Sequence, residues 1–245
     1  MSENATAFPV GQSIFSRVKK GLHALHVLKD DPGNELYGPL FNAQLDAEAY
    51  TALVREFRQN AEGRAMLDTR PTLQGPDLDL AALGALPEGT LGREFARYFE
   101  DNKIAPFVSS FAIDSDEAFL SKRYRETHDL FHVLTGYKTH MLGEMELQAF
   151  VFGNLRLPST AFIVFFSTVY RLKSFGGREL RAYVARLHGA YSRGRRSRML
   201  MTVPFETMWE RPLREVSEAL LAPAMDTLPE VTVGVHQHEQ FAPAA

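Results

Sequence analysis

The stretch ETHDLFHVLTGYKTHMLGEMEL, Glu126 to Leu147, sets two histidines and several carboxylates at spacings suited to metal ligation. On a helix His128 and His132 fall one turn apart on one face, and Asp129, three residues before His132, lies on an adjoining face. Glu144 cannot join them from the same straight helix: 12 residues past His132, it would stand roughly 18 Å further along the axis. The chain must turn back. Gly136 and Gly143 bracket the intervening TGYKTHMLG and supply backbone freedom for a break, so that Glu144 opens a second helix and returns its carboxylate to the histidines. Glu146 is close enough in sequence to compete for that role. Two imidazoles with carboxylates suit zinc, or alternatively ferrous iron, better than calcium or magnesium. With no cysteine in the chain, disulfides, thiolate sites and cysteine nucleophiles are excluded, and any metal must use histidine and oxygen ligands.

The elements that must position these groups read as helices. Leu120 and Tyr124 continue the row leading to His128 and His132, with Phe131 and Leu134 close by, so both imidazoles are expected to point inward. Asp114 followed three residues later by Glu117 is a capping-box pattern for the start of this helix. Upstream, Ile14, Phe15, Val18, Leu22 and Leu25 form one apolar stripe, and Tyr50, Leu53, Val54 and Phe57 a second one for which Asp46 is the expected N-cap. Thr90 can cap a helix carrying Leu91, Phe95, Tyr98 and Phe99. Downstream, helices are expected over Glu144 to about Arg156, Ser159 to about Lys173 and Arg178 to Tyr191, and Trp209, Leu213, Val216 and Leu220 mark a last one. The most apolar run, STAFIVFFSTVY from Ser159 to Tyr170, falls short of the ~20 residues of a membrane span and reads as a buried helix. No sustained apolar/polar alternation framed by hairpin turns occurs, so the expected class is all-α: a single-domain multi-helix bundle over residues 1–222, with a flexible Pro- and Ala-rich tail over 223–245.

A formal net charge of -3 argues against a nucleic-acid binder. Against that background, Arg171, Lys173, Arg178, Arg181, Arg186, Arg193, Arg195, Arg196 and Arg198 share their segment with one acidic residue, Glu179, a concentration suited to an anionic membrane surface or an acidic partner. A solvated helix face explains it equally well. The N-terminus MSENATAFPVGQ lacks the apolar core of a secretory signal and the arginine-rich pattern of a mitochondrial presequence. The expected location is cytoplasmic, peripheral on the inner face of a bacterial cell membrane, or the matrix side of the mitochondrial inner membrane if the chain is eukaryotic.

The strings KRYRETHDLFHVLTGY and GEMELQAF resemble the H-D-x-x-H, eleven residues, E signature of the coenzyme Q (ubiquinone) biosynthesis protein 4 family. GRAMLDTRPTL at Gly63, LPEGTLGREFARYF at Leu86 and MWERPLREV at Met208 resemble that family's other blocks in the same order. The resemblance implies a largely helical protein of the ubiquinone pathway, a metal held by His128, Asp129, His132 and Glu144, and a hydrophobic channel for an isoprenoid tail. It also implies work beside other ubiquinone-biosynthesis enzymes, as an oxidative decarboxylase and hydroxylase of a prenylated hydroxybenzoate ring or as a non-catalytic scaffold. Asp129 could instead orient a histidine without binding the metal. Arg123 and Arg125 are candidates for an anionic head group, and Phe162 and Phe166, with Ile163 and Phe165, for the prenyl tail. A homodimer is compatible with this reading. A metal phosphohydrolase, which also centres on an adjacent His-Asp pair, fits less well: the only upstream histidines, His23 and His26, lie over a hundred residues earlier.

Overall fold

The helical periodicity carries through to the backbone. The computed structural model describes residues 9, 12–30, 37–74, 78–106, 113–224 and 231, and among these there is no strand. Contacts divide the chain into two compact units, with the division falling between Leu130 and Phe131 inside one continuous helix.

The first unit holds α1 (Ile14–Asp30), α2 (Tyr37–Gln59), α3 (Ala61–Thr69), α4 (Leu80–Gly84), α5 (Leu91–Asn102), the first part of α6 (Asp116–Thr135) and the segment 201–211. Tyr50, Leu53 and Phe57 of α2 and Phe95 and Phe99 of α5 are buried in its core, and the Trp209 ring stacks on Phe95 at 5.6 Å between centroids. The expected cap on Thr90 forms: its hydroxyl accepts from the Arg93 N–H at 3.4 Å. Two other expected caps do not. Asp46 lies inside α2 and is buried, because the helix begins nine residues earlier at Tyr37. For α6 the capping oxygen is Ser115 Oγ, which accepts from the Ala118 N–H at 3.1 Å; a short hydroxyl next to the first turn reaches the third amide, and Asp114 lies one residue too early. In α1, Phe15 is exposed, and the side chains of Ile14, Val18, Leu22 and Leu25 lie outside the described residues.

The second unit holds the end of α6, α7 (Met141–Leu155), α8 (Pro158–Arg171), α9 (Gly177–Arg196) and α10 (Leu213–Leu220). α7 is its buried spine, with all but one of its residues enclosed. Gly153 lets α9 approach it backbone to backbone: a Cβ there would stand 2.2 Å from the Tyr191 carbonyl oxygen. The Asn154 amide bonds the Gly194 and Arg198 carbonyls at 3.0 and 2.9 Å, and its oxygen accepts from the Leu200 N–H at 3.0 Å. α9 runs five residues beyond the expected end at Tyr191, and α10 begins at Leu213, after Trp209.

α8 corrects the expectation of a buried helix. Ser159 and Thr160 at its start are buried, but Phe165 is 60% and Tyr170 86% exposed, with Phe166, Val169 and Leu172 exposed beside them. α7 packs against α8, and toward α9 the Thr168 hydroxyl reaches the Tyr183 hydroxyl at 3.4 Å; apolar content does not say which faces a fold covers. The expected tail over 223–245 lies largely outside the described residues.

Candidate metal centre

The turn from α6 into α7 is built from local signals. After Thr135, Gly136 takes a positive φ of 77°, and its N–H donates to the His132 carbonyl at 2.9 Å. α7 is capped by His140, whose Nδ1 accepts from the Gly143 N–H at 3.2 Å, an imidazole acting as N-cap. Gly143 is needed because a Cβ there would stand 2.1 Å from the Lys138 carbonyl oxygen. The bracketing by Gly136 and Gly143 thus acts as the break requires, one glycine for conformation and the other for close approach. Arg193 of α9 clamps the same turn, donating to the Thr135 carbonyl at 2.9 Å and lying over the Tyr137 ring at 5.7 Å. Burial pushes the Tyr137 phenol up, partly opposed by its hydrogen bond to Arg193.

Within this frame the His132 ring has both nitrogens placed. Nδ1 lies 2.9 Å from the Tyr137 carbonyl oxygen, which can only accept, so Nδ1 carries a proton and Nε2 is the nitrogen turned toward Glu144. Nε2 lies 3.1 Å from Glu144 Oε1, with the two side chains only 1% and 11% exposed. His128, one turn earlier on α6, is half-buried with the Tyr124 ring edge-on at 6.1 Å. His128, His132 and Glu144 each offer one ligand atom, all within 4.8 Å of one another. Two nitrogens and a carboxylate oxygen are a donor set that fits zinc or iron and leaves room for a further ligand.

Residues 43–224 match the model of the family described as Coenzyme Q (ubiquinone) biosynthesis protein Coq4. The chain belongs to this family. A human relative, "Ubiquinone biosynthesis protein COQ4 homolog, mitochondrial", is 34% identical over 169 residues, covering 67% of this chain and 62% of the relative. The zebrafish (Danio rerio) homologue is 35% identical over 170 residues, covering 66% of this chain and 60% of the relative. The chain therefore spans about three-fifths of the length of these relatives. A crystal structure from Nostoc punctiforme, of a protein assigned to ubiquinone biosynthesis, superposes with a TM-score of 0.68 at 26% identity, covering 83% of this chain and 97% of that one. Among the described residues no helix is long and apolar enough to cross a membrane.

Of the four residues expected at the site, His128, His132 and Glu144 converge and Asp129 stands beside them. Its Oδ1 accepts from the Tyr98 hydroxyl at 3.2 Å and lies 3.7 Å from His128 Nδ1. Glu146 does not compete with Glu144. Two residues on along α7 it faces the other way, and Arg186 of α9 holds it with two hydrogen bonds of 2.8 and 3.1 Å. Arg123 is fully buried, donating to the Glu206 carboxylate and, at 3.0 Å, to the Val203 carbonyl. Burial pushes the Arg125 guanidinium down, while the nearby Tyr50, Tyr124 and Asp46 favour its charge. Phe162 and Phe166 lie against each other at 4.1 Å between centroids, with Phe166 half exposed. In the basic segment Arg186 and Arg193 are spent on internal contacts, whereas Lys173, Arg178 and Arg181 are exposed.

Sequence reasoning missed the roles of His140, Tyr137 and Arg193. A histidine three residues before a glycine is a weak capping signal, and nothing in a sequence announces a backbone carbonyl as the partner of an imidazole.

Proposed function

We propose that this chain acts in coenzyme Q biosynthesis on a polyprenylated aromatic ring that carries a carboxylate, beside a zinc ion, or alternatively iron, held by His128, His132 and Glu144. The observation that carries this reading is the pair His132 Nε2 and Glu144 Oε1 at 3.1 Å. With Nδ1 donating to the Tyr137 carbonyl, Nε2 and the carboxylate oxygen face each other at a separation that calls for a metal cation or a proton between them. It is also close to the edge, about 3.3 Å, of a tetrahedron with ligand bonds of 2.0–2.1 Å. Asp129, whose Oδ1 accepts from the Tyr98 hydroxyl, lies 3.7 Å from His128 Nδ1, beyond hydrogen-bond distance, and stands beside the three ligands as a nearby negative charge.

Bound there, such an ion supplies Lewis acidity toward a ring carboxylate or phenolate. The chain's own share is to hold the ligands and keep them in a mostly enclosed setting. The reaction we favour replaces the ring carboxylate by a hydroxyl: ring–COOH, dioxygen, two electrons and two protons give ring–OH, carbon dioxide and water. Dioxygen and a two-electron reductant must come from outside the chain. The apolar face of α8, with Lys173, Arg178 and Arg181 nearby, suits contact with an anionic bilayer in which a prenylated substrate would reside.

A non-catalytic role is the second reading: a lipid-binding scaffold with a structural metal, gathering other enzymes of the pathway. The exposed α8 face favours it as much as it favours the first. His128→Ala separates the two. Mass spectrometry of quinone intermediates in cells carrying this variant is expected to show a prenylated ring that keeps its carboxylate, with the protein folded and still assembled with partner enzymes. Loss of assembly together with function supports the scaffold, and normal ubiquinone levels overturn the assignment of the site.

A further inference from the structure

α7 carries four polar side chains, Glu144, Glu146, Gln148 and Asn154, in an otherwise apolar, buried helix. Two of them, Glu146 and Asn154, are spent on α9 and the segment that follows it. Gln148 is not. It is 9% exposed, and its Oε1 is buried with no hydrogen-bond donor among the described residues. A buried acceptor without a donor forfeits its hydration for nothing, and folded proteins rarely leave one without cause. The helical register says which way it faces. Gln148 follows Glu144 by four residues, so the two share a face about 5–6 Å apart, roughly opposite the face that gives Glu146 to Arg186.

We propose that Gln148 Oε1 accepts a hydrogen bond from an O–H donor delivered to the side of α7 that carries Glu144. The donor is either the phenolic hydroxyl of an aromatic ligand or a water on the metal, so the inference rests on the metal-site reading above. The phenol fits well. One helical turn, about 5.4 Å, is close to the separation of the two ends of a para-substituted hydroxybenzoate, so its carboxylate at Glu144's level would bring its hydroxyl to Gln148. Gln148 is then a specificity-determining residue: a site with an acceptor waiting for a hydroxyl rejects the analogue that lacks it.

The test compares wild type with Gln148→Met, which keeps the side chain's length and removes the acceptor, and with Gln148→Leu. Metal content is measured by elemental analysis, thermal stability by calorimetry, and binding of 4-hydroxybenzoate and 4-methoxybenzoate by titration calorimetry. Wild type is expected to favour the hydroxy over the methoxy acid by about tenfold, the worth of one hydrogen bond. In both variants that preference collapses toward unity, while Tm without ligand is equal or higher because no bond was lost. If the preference is unchanged but metal affinity falls by tenfold or more, the donor is the metal-bound water. Unchanged preference and unchanged metal affinity overturn the proposal, as does a Tm lowered by several degrees in both variants, which marks an internal hydrogen bond. A wild type that holds no metal and binds neither acid instead overturns the metal-site reading and the inference with it.

Discussion

A Cβ on Gly194 of α9 would stand 2.1 Å from the carbonyl oxygen of Phe150 on α7, so the two helices meet there backbone to backbone. This contact fixes the helix from which Glu144 and Gln148 project. Gly194→Ala gains helix propensity of up to about 1 kcal/mol but must push α9 off α7, because the obstructing atom is main chain and cannot change rotamer. The expected result is a net loss of about 1–3 kcal/mol in denaturant unfolding. A neutral or stabilising substitution would show that the approach is looser than described.

Glu144 and Glu146 lie two residues apart and have different work. Glu144→Gln is expected to lower metal content well below that of wild type with little loss of stability, since a carboxylate ligand is removed from a site whose histidines remain. Glu146→Gln leaves metal content intact and weakens the fold by up to about 3 kcal/mol, because Arg186 loses its two-bonded partner in a largely enclosed setting. Elemental analysis and urea unfolding of both variants check this. Equal metal loss in the two would return Glu146 to the site.

Asp116, at the start of α6, provides a pH signature. Burial raises its pKa, but hydrogen bonds from Arg58 and Arg70 outweigh that and hold it below the usual carboxylate range. A carboxyl with a lowered folded-state pKa adds stability above its unfolded value, about 3.9, and loses it as the pH falls through the folded value. Asp116→Asn is therefore expected to be less stable than wild type at neutral pH, with the gap closing below about pH 4. A gap independent of pH would assign the effect to packing. The contribution is modest, since Arg58 is largely solvated.

The α8 face is expected to bind lipid. Replacing Phe165 and Tyr170 together by serine should cut co-sedimentation with anionic phosphatidylglycerol vesicles by tenfold or more without lowering Tm, because both side chains are mostly in water already. Neutral vesicles should bind less in both proteins, given exposed Lys173, Arg178 and Arg181. A lower Tm in the double variant would instead point to a folding role for these aromatics.

The sequence by itself determined the all-α class, the return of the chain between His132 and Glu144, and the family. These follow from short-range rules: apolar spacing at 3.6 residues, one glycine for a positive φ at Gly136, and ligand residues with few substitutes. What it left open depends on long-range partners. Glu144 and Glu146 look alike in a row, and only Arg186, forty residues later, takes one of them away from the histidines. Arg123 reads as a candidate for an anionic head group until Glu206 is found against it. The run Ser159–Tyr170 reads as buried because it is apolar, yet burial is a property of what packs against a helix, and α8 keeps an open side. Tyr137's carbonyl, which accepts from His132 Nδ1, is a main-chain group that any residue would supply; its position is decided by how α6, the turn and α9 come together.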